Sequence, residues 1–266
     1  MFTETAVSLT YDGSFEGFLS CVFDCYYLHF APLEIVATTE CTQTSLFEQI
    51  FITTNPEKAA RVYKSLLTKI SPIAQSLVEY GFLAASPKNC STEMLLYNFI
   101  KKAFSLGKGI LANYQIPEYV LLDKSVTGLK KEAHLMTGFL RFSLMGDFLF
   151  AKIGPKNNVL PLIAPHFANR FASEHFIIYD ETRDLAMIYK PSEYIITDVA
   201  LQPFQASLLA NVAPNLITSS SQSENHYQRL WQAFYQAIAI ESRFNPKCRM
   251  NHMPKRFWTN LTEFQT

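Results

Sequence analysis

HFIIYDETRDLAMIYKPSEYIITDV, residues 175–199, decides the fold. It holds three short runs rich in β-branched and aromatic side chains: His175–Tyr179, Leu185–Tyr189 and Tyr194–Val199. Their connections, Asp180–Asp184 and Lys190–Glu193, are too short for a helix, so the three runs read as an antiparallel meander. Asp180, Glu181 and Asp184 fall in the first turn and are expected at the surface. Upstream, Phe139–Leu144 and Phe148–Ile153 flank Met145-Gly146-Asp147, a hairpin signal. All five runs are expected in one antiparallel sheet. Between them Asn158–Phe171 reads as a helix, with Pro161 and Pro165 confined to its start or to a preceding turn.

The chain before this region is mainly helical. Ala6–Tyr11 alternates as a strand, Asp12-Gly13 marks a turn, and Ser14 can cap the helix that follows. Gly17 sits where a full capping box needs Glu or Gln. Ala31–Ser45 reads as irregular and Gln49–Thr53 as a short strand. Asn55-Pro56 starts a helix running to Ile70. Further helices start at Ser71-Pro72, Ser91-Thr92 and Pro117, the last ending near Met136. Gly107-Lys108-Gly109 lacks the spacing of a phosphate loop and reads as a helix C-cap and turn. Residues 201–222 read as a polar linker. The order of strand, helices, strands and helix gives an α+β class, with a central, mostly antiparallel sheet and flanking helices. It is taken as a single α+β domain over 1–266, with 55–136 as a helical lobe and 224–266 as a C-terminal helix and basic tail.

Bulk properties restrict the function. The chain has 266 residues, 48% of them hydrophobic, and a formal net charge of zero. It is not a polycation, so nucleic-acid contact requires a local patch. Five cysteines without tight spacing suit reduced thiols. The beginning, MFTETAVSLTYDG, is neither basic nor continuously apolar, unlike a signal peptide. No apolar run is long enough for a membrane span. A cytoplasmic location follows as the expectation. Cys21 and Cys25 lie four apart, but Leu28 stands where a radical-SAM cluster needs its third cysteine. With no paired metal-ligand spacing among the histidines, neither cofactor nor metal is expected.

The C-terminal part supplies the local patch. Ser221 and Glu224 fit a capping box. Tyr227, Leu230, Trp231, Phe234, Tyr235 and Ile238 draw an apolar stripe that should anchor the helix Glu224–Ile240 to the core. Beyond it, Arg243, Lys247, Arg249, Lys255 and Arg256 lie between Glu241 and Glu263 with no acid among them. Phe244, Phe257 and Trp258 are interleaved. Pro246 and Pro254 can each open a short helix, Asn245 capping the first, and helix starts favour phosphate. Arg243, Lys247, Arg249, His252, Lys255, Arg256 and Trp258 are therefore candidates for backbone phosphate contact with base stacking. The alternative is a structured end whose aromatics are core and whose arginines pair with acids.

Three stretches resemble a known family. They are YQRLWQAFYQAIAIESRFNPKCRMNHMPKRFWTNLTE from Tyr227, YDGSFEGFLSCVFDCY at Tyr11–Tyr26, and KEAHLMTGFLRF at Lys131–Phe142 continuing to NVLPLIAPHFANRF at Asn158–Phe171. The chain resembles the bacterial "probable DNA metabolism protein" family, also known as domain of unknown function 4130. Its members occur alone, beside a radical-SAM partner, or fused ahead of a uracil-DNA-glycosylase-like domain. The resemblance implies a DNA-repair setting and such a partner, but no defined reaction. No GQDPYH-type glycosylase motif is present. A second, central set of candidates is His134, Arg141, His166 and Arg170, since His and Arg can read phosphate or a base edge. Three functions stay open: a nucleic-acid-binding accessory protein of DNA repair or metabolism, a DNA-acting enzyme with its site near 134–170, and a protein-interaction adaptor without DNA contact.

Overall fold

A computed structural model of the chain describes residues 5–38, 49–87, 90–145, 148–199, 222–240, 242 and 244–264. The class is α+β. The chain divides into two compact units, Met1–Leu129 and Lys130–Thr266.

The first unit is built on β1 (Thr5–Tyr11), the middle strand of a parallel sheet ordered β2-β1-β3. Val7, Ser8 and Leu9 are all buried, as expected of a strand covered on both faces. After Asp12-Gly13, α1 (Phe15–Leu28) begins at Ser14, whose hydroxyl accepts from the Gly17 N–H at 2.9 Å. The stretch expected to be irregular contains β2 (Phe30–Ala37). Pro32 and Glu34 break its alternation, and Pro is tolerated because β2 is an edge strand. The pairing skips one residue between Val7 and Ser8, so Pro32 and Glu34 both find partners on β1. β3 (Gln49–Phe51) lies along the other side of β1.

The helices of this unit start where their caps predict. Asn55 accepts from the Glu57 and Lys58 N–H groups ahead of α2 (Pro56–Ser65). Ser71 caps α3 (Pro72–Leu83) and Ser91 caps α4 (Thr92–Leu106). The helix expected to reach Ile70 does so, but its last turn, Leu66–Ile70, is a π turn in which the Ser71 N–H donates to the Leu66 carbonyl at 3.0 Å. Pro72 excludes Ser71 from helical geometry, and Ser71 is extended. Gly107 closes α4 at φ 62°, and a 3-10 turn, Gly107–Ala112, follows. α5 (Pro117–Phe139) then runs past the residue where the first unit ends.

Asp12 organises the β1–α1 turn. Its carboxylate accepts from the Ser14 N–H at 2.9 Å, the Ser14 hydroxyl at 2.7 Å and the Thr54 hydroxyl at 2.7 Å. A Cβ on Gly17 would stand 2.2 Å from Asp12 Oδ1 and 2.9 Å from the Tyr11 ring. Glycine at 17 therefore serves close approach, which explains why the capping box is incomplete there.

The second unit holds a five-stranded sheet ordered β4-β5-β6-β7-β8. Its strands are β4 (Ser143–Met145), β5 (Phe148–Ile153), β6 (Phe176–Asp180), β7 (Leu185–Lys190) and β8 (Glu193–Asp198). The five expected runs do share a sheet, but it is mixed: β5 and β6 pair in parallel. The reason is α6 (Leu160–Arg170), which returns the chain to the end of the sheet where β5 began. The first expected strand is corrected too. Phe139 ends α5, and pairing starts only at Ser143. Gly146 and Asp147 lie outside the described residues. Pro165 sits inside α6 rather than near its start. It is exposed, as is Pro161 one turn earlier, so the carbonyl left without a donor faces water. Asp180, expected at the surface, is fully buried, while Glu181 and Asp184 are exposed. Asp180 accepts from the Thr182 N–H at 2.9 Å and from Arg183 at 3.2 Å. Phe176 stacks on Tyr189 with ring centroids 4.6 Å apart.

α7 (Gln222–Ala237) corrects a further expectation. Most of its apolar stripe faces outward: Tyr227 is 66% exposed, Phe234 53% and Ile238 57%, while half-buried Tyr235 stands edge-on to Phe264 at 5.9 Å. Its polar side chains also hold the helix. The Leu144 N–H donates to Glu224 at 3.2 Å, Gln228 reaches Ser143 at 3.3 Å, and Gln232 donates to the Thr262 carbonyl at 2.9 Å. Periodicity finds a face on a helix; it does not say which face is covered. Ser221 and residues 201–221 lie outside the described residues.

Candidate nucleic-acid interface

The C-terminal segment is built on α8 (Pro246–His252), which begins at Asn245; Asn245 Oδ1 accepts from the Cys248 N–H at 2.9 Å. A 3-10 turn, Lys255–Asn260, follows Pro254, and a second, Thr262–Phe264, closes the segment. Phe257 is buried against Phe139, ring centroids 5.8 Å apart. Trp258 stacks on Phe264 at 4.6 Å and donates its indole N–H to the Met253 carbonyl at 3.0 Å. The aromatics thus form a small packed layer, and the cations are arranged around it.

The candidate cations divide into two sets. Arg256 is committed to Glu132, its Nη2 donating at 2.8 Å to a carboxylate whose side chain is 3% exposed. Glu132 also accepts from the backbone N–H groups of Lys156 and Asn157, at 3.2 and 2.9 Å. Arg141 is committed in the same way. It donates to Glu263 at 2.9 and 3.4 Å, and its Nη1 reaches the Gly138 carbonyl at the end of α5 at 2.9 Å. Trp231 adds its indole N–H to Glu263 at 3.2 Å. Burial pushes the Glu263 carboxyl up, but the Arg141 and Trp231 hydrogen bonds outweigh it and hold the group below the usual carboxylate range.

Arg249 differs. Its guanidinium lies 5.0 Å from the Trp258 ring centre, 5.3 Å from Phe264 and 5.4 Å from Phe244. Its Nε is buried and has no hydrogen-bond partner. Among the described residues no carboxylate pairs with it. Lys247 and His252 on α8 are exposed, and exposed Lys255 lies 5.9 Å from the Trp258 ring. Arg243 lies outside the described residues.

The four central candidates are not joined. His134 is exposed on α5, and its described contact is a backbone one, the Thr137 hydroxyl donating to its carbonyl. His166, exposed on α6, stands edge-on to Phe167, and Arg170 lies 5.9 Å from the Phe171 ring. No hydrogen bond links these four among the described residues. Sequence reading missed the acids Glu132 and Glu263. The signal was available for Glu263, the first carboxylate after an acid-free run of cations.

These features define a protein of α+β class whose C-terminal segment presents cations and rings around an aromatic layer. The chain belongs to the family described as a domain of unknown function, DUF4130, whose model matches residues 91–263. No curated protein and no solved structure matches the chain. Among the described residues no helix is long and apolar enough to cross a membrane, and no group of three His, Cys, Asp or Glu residues could hold a metal ion.

Proposed function

We propose that the protein is an accessory factor of DNA repair or DNA metabolism that binds nucleic acid through its C-terminal segment. By the resemblance, its partner is a radical-SAM or uracil-DNA-glycosylase-like protein. The observation that carries the reading is Arg249, a cation held among three rings with no carboxylate partner among the described residues, beside exposed Lys247, His252 and Lys255. Rings that can take a base and cations that can take a phosphate suit a single strand.

Fluorescence anisotropy with single- and double-stranded oligonucleotides across a salt series tests it. Lys247 and Lys255 are exposed, so K247A/K255A should keep its fold. Its affinity should fall, and the slope of log affinity against log salt should flatten by about 0.9 per lost duplex contact. Unchanged affinity and slope in the folded variant overturn the reading. A second reading, a protein-interaction adaptor, is favoured by the outward stripe of α7, since large exposed apolar patches mark interaction surfaces. A protein that binds no oligonucleotide but captures its partner through α7 meets that reading.

A further inference from the structure

The first unit contains a cavity of about 350 Å³, within the range of small-molecule sites. Val22 and Val62 are buried at its floor. Three rings line it: Phe23 and Tyr26 on α1, and Phe104 on α4, with Tyr26 edge-on to Phe104 at 5.9 Å. The Tyr26 hydroxyl, whose pKa partial burial raises further, is neutral at pH 7 and can donate and accept. Two exposed cations, Arg61 and Lys69, stand on the same wall as Ser65. The Arg61 guanidinium lies 5.1 Å from the Phe23 ring centre. Neither cation has a carboxylate partner among the described residues. Asp24, on α1, is taken by Lys58 at 2.7 Å.

The π turn places Lys69 there. Arg61, Ser65 and Lys69 are spaced by four residues. On a continuous α-helix at 3.6 residues per turn, Lys69 would lie about 80° around the axis from Arg61. The wider turn at Leu66–Ile70 takes more residues per revolution and keeps Lys69 on the cavity side. Thr68 supports it by donating its hydroxyl to the Lys64 carbonyl at 2.9 Å. A π turn costs hydrogen-bond geometry, and such turns are frequent at functional sites.

We propose that this cavity binds a nucleotide. The base lies against the aromatic wall of Phe23, Tyr26 and Phe104. The phosphate meets Arg61 and Lys69. The ligand is a free mononucleotide or one nucleotide of a single strand. The site lies in the other unit from the C-terminal segment and does not depend on that reading.

Titration calorimetry uses dTMP, dAMP and inorganic phosphate on the full chain, and a ten-residue oligothymidylate on the full chain carrying K247A/K255A, so that strand binding by the C-terminal segment is not read as the cavity's. Saturable binding of dTMP or dAMP tighter than of the oligonucleotide assigns a free nucleotide; the reverse order assigns a strand. R61A and K69A should each weaken binding about tenfold, the size of one charged hydrogen bond. F104L keeps apolar volume but removes a ring, and should weaken the nucleotides while leaving phosphate unchanged. K247A/K255A should leave dTMP binding unaltered. The proposal is overturned by no saturable nucleotide or oligonucleotide binding at millimolar concentration. It is equally overturned by binding that survives R61A/K69A, or by phosphate binding as tightly as dTMP.

Discussion

Arg256 donates to Glu132 at 2.8 Å across 124 positions of sequence, tying the C-terminal segment to α5. Glu132 has donors from three residues, all supplied from outside its own helix. Replacing it with Ala should leave the Lys156 and Asn157 N–H groups without their acceptor and cost about 2–4 kcal/mol. R256A should cost less, about 1–2 kcal/mol, because that side chain is partly in water. Urea unfolding of both variants checks the order; R256A costing more than E132A contradicts it.

Glu263 should set part of the acid limit of stability. Its folded pKa is depressed, so its contribution is fully present above the unfolded carboxylate value. It is lost as pH falls through the folded one. E263Q should therefore be less stable than the parent at pH 7, and the gap should narrow as the pH is lowered below about 4. Thermal unfolding from pH 3 to 7 measures this. A gap that widens in acid contradicts it.

Gly17→Ala should destabilise by about 1–3 kcal/mol, the usual cost of forcing a methyl into filled space. The crowding atom is a carboxylate oxygen of Asp12. G17A in a D12A background should recover part of the loss, and a double-mutant cycle reads the coupling. Strict additivity would show that Tyr11 or Thr54, not Asp12, sets the limit.

The outward stripe of α7 should tolerate polar substitution. Phe234→Ser and Tyr227→Ser are each expected to change stability by less than about 0.5 kcal/mol. A loss of several kcal/mol in either would show that the stripe is covered in solution.

Local signals in the chain were readable one by one. Ser14, Asn55, Ser71, Ser91 and Asn245 each cap the helix they announce, because capping needs only the residue and its next three neighbours. The meander from Phe176 to Asp198 followed from two short turns. Parallel pairing was not readable. β2 carries a proline and a glutamate and meets β1 only across α1, and β5 meets β6 only across α6. At the candidate interface the cations were visible and their partners were not, since Glu132 lies far from Arg256 in sequence. The unit 1 cavity was invisible for a similar reason. Phe23, Arg61 and Phe104 come from three separate helices, and no short pattern unites them.

The π turn at Leu66–Ile70 carries an evolutionary consequence. Lys69 owes its position to how many residues precede it, and less to which ones. Removing a single residue such as exposed Leu67 would let the helix wind regularly with the lysine seven places after Arg61, about 20° from it around the axis. Every side chain of the cavity would survive, and the two charges would still share one side; only regular winding at full length would part them, by about 80°. The π turn thus reads as one residue absorbed into the helix, and a related chain one residue shorter here would keep the arginine and the lysine on a common face without it.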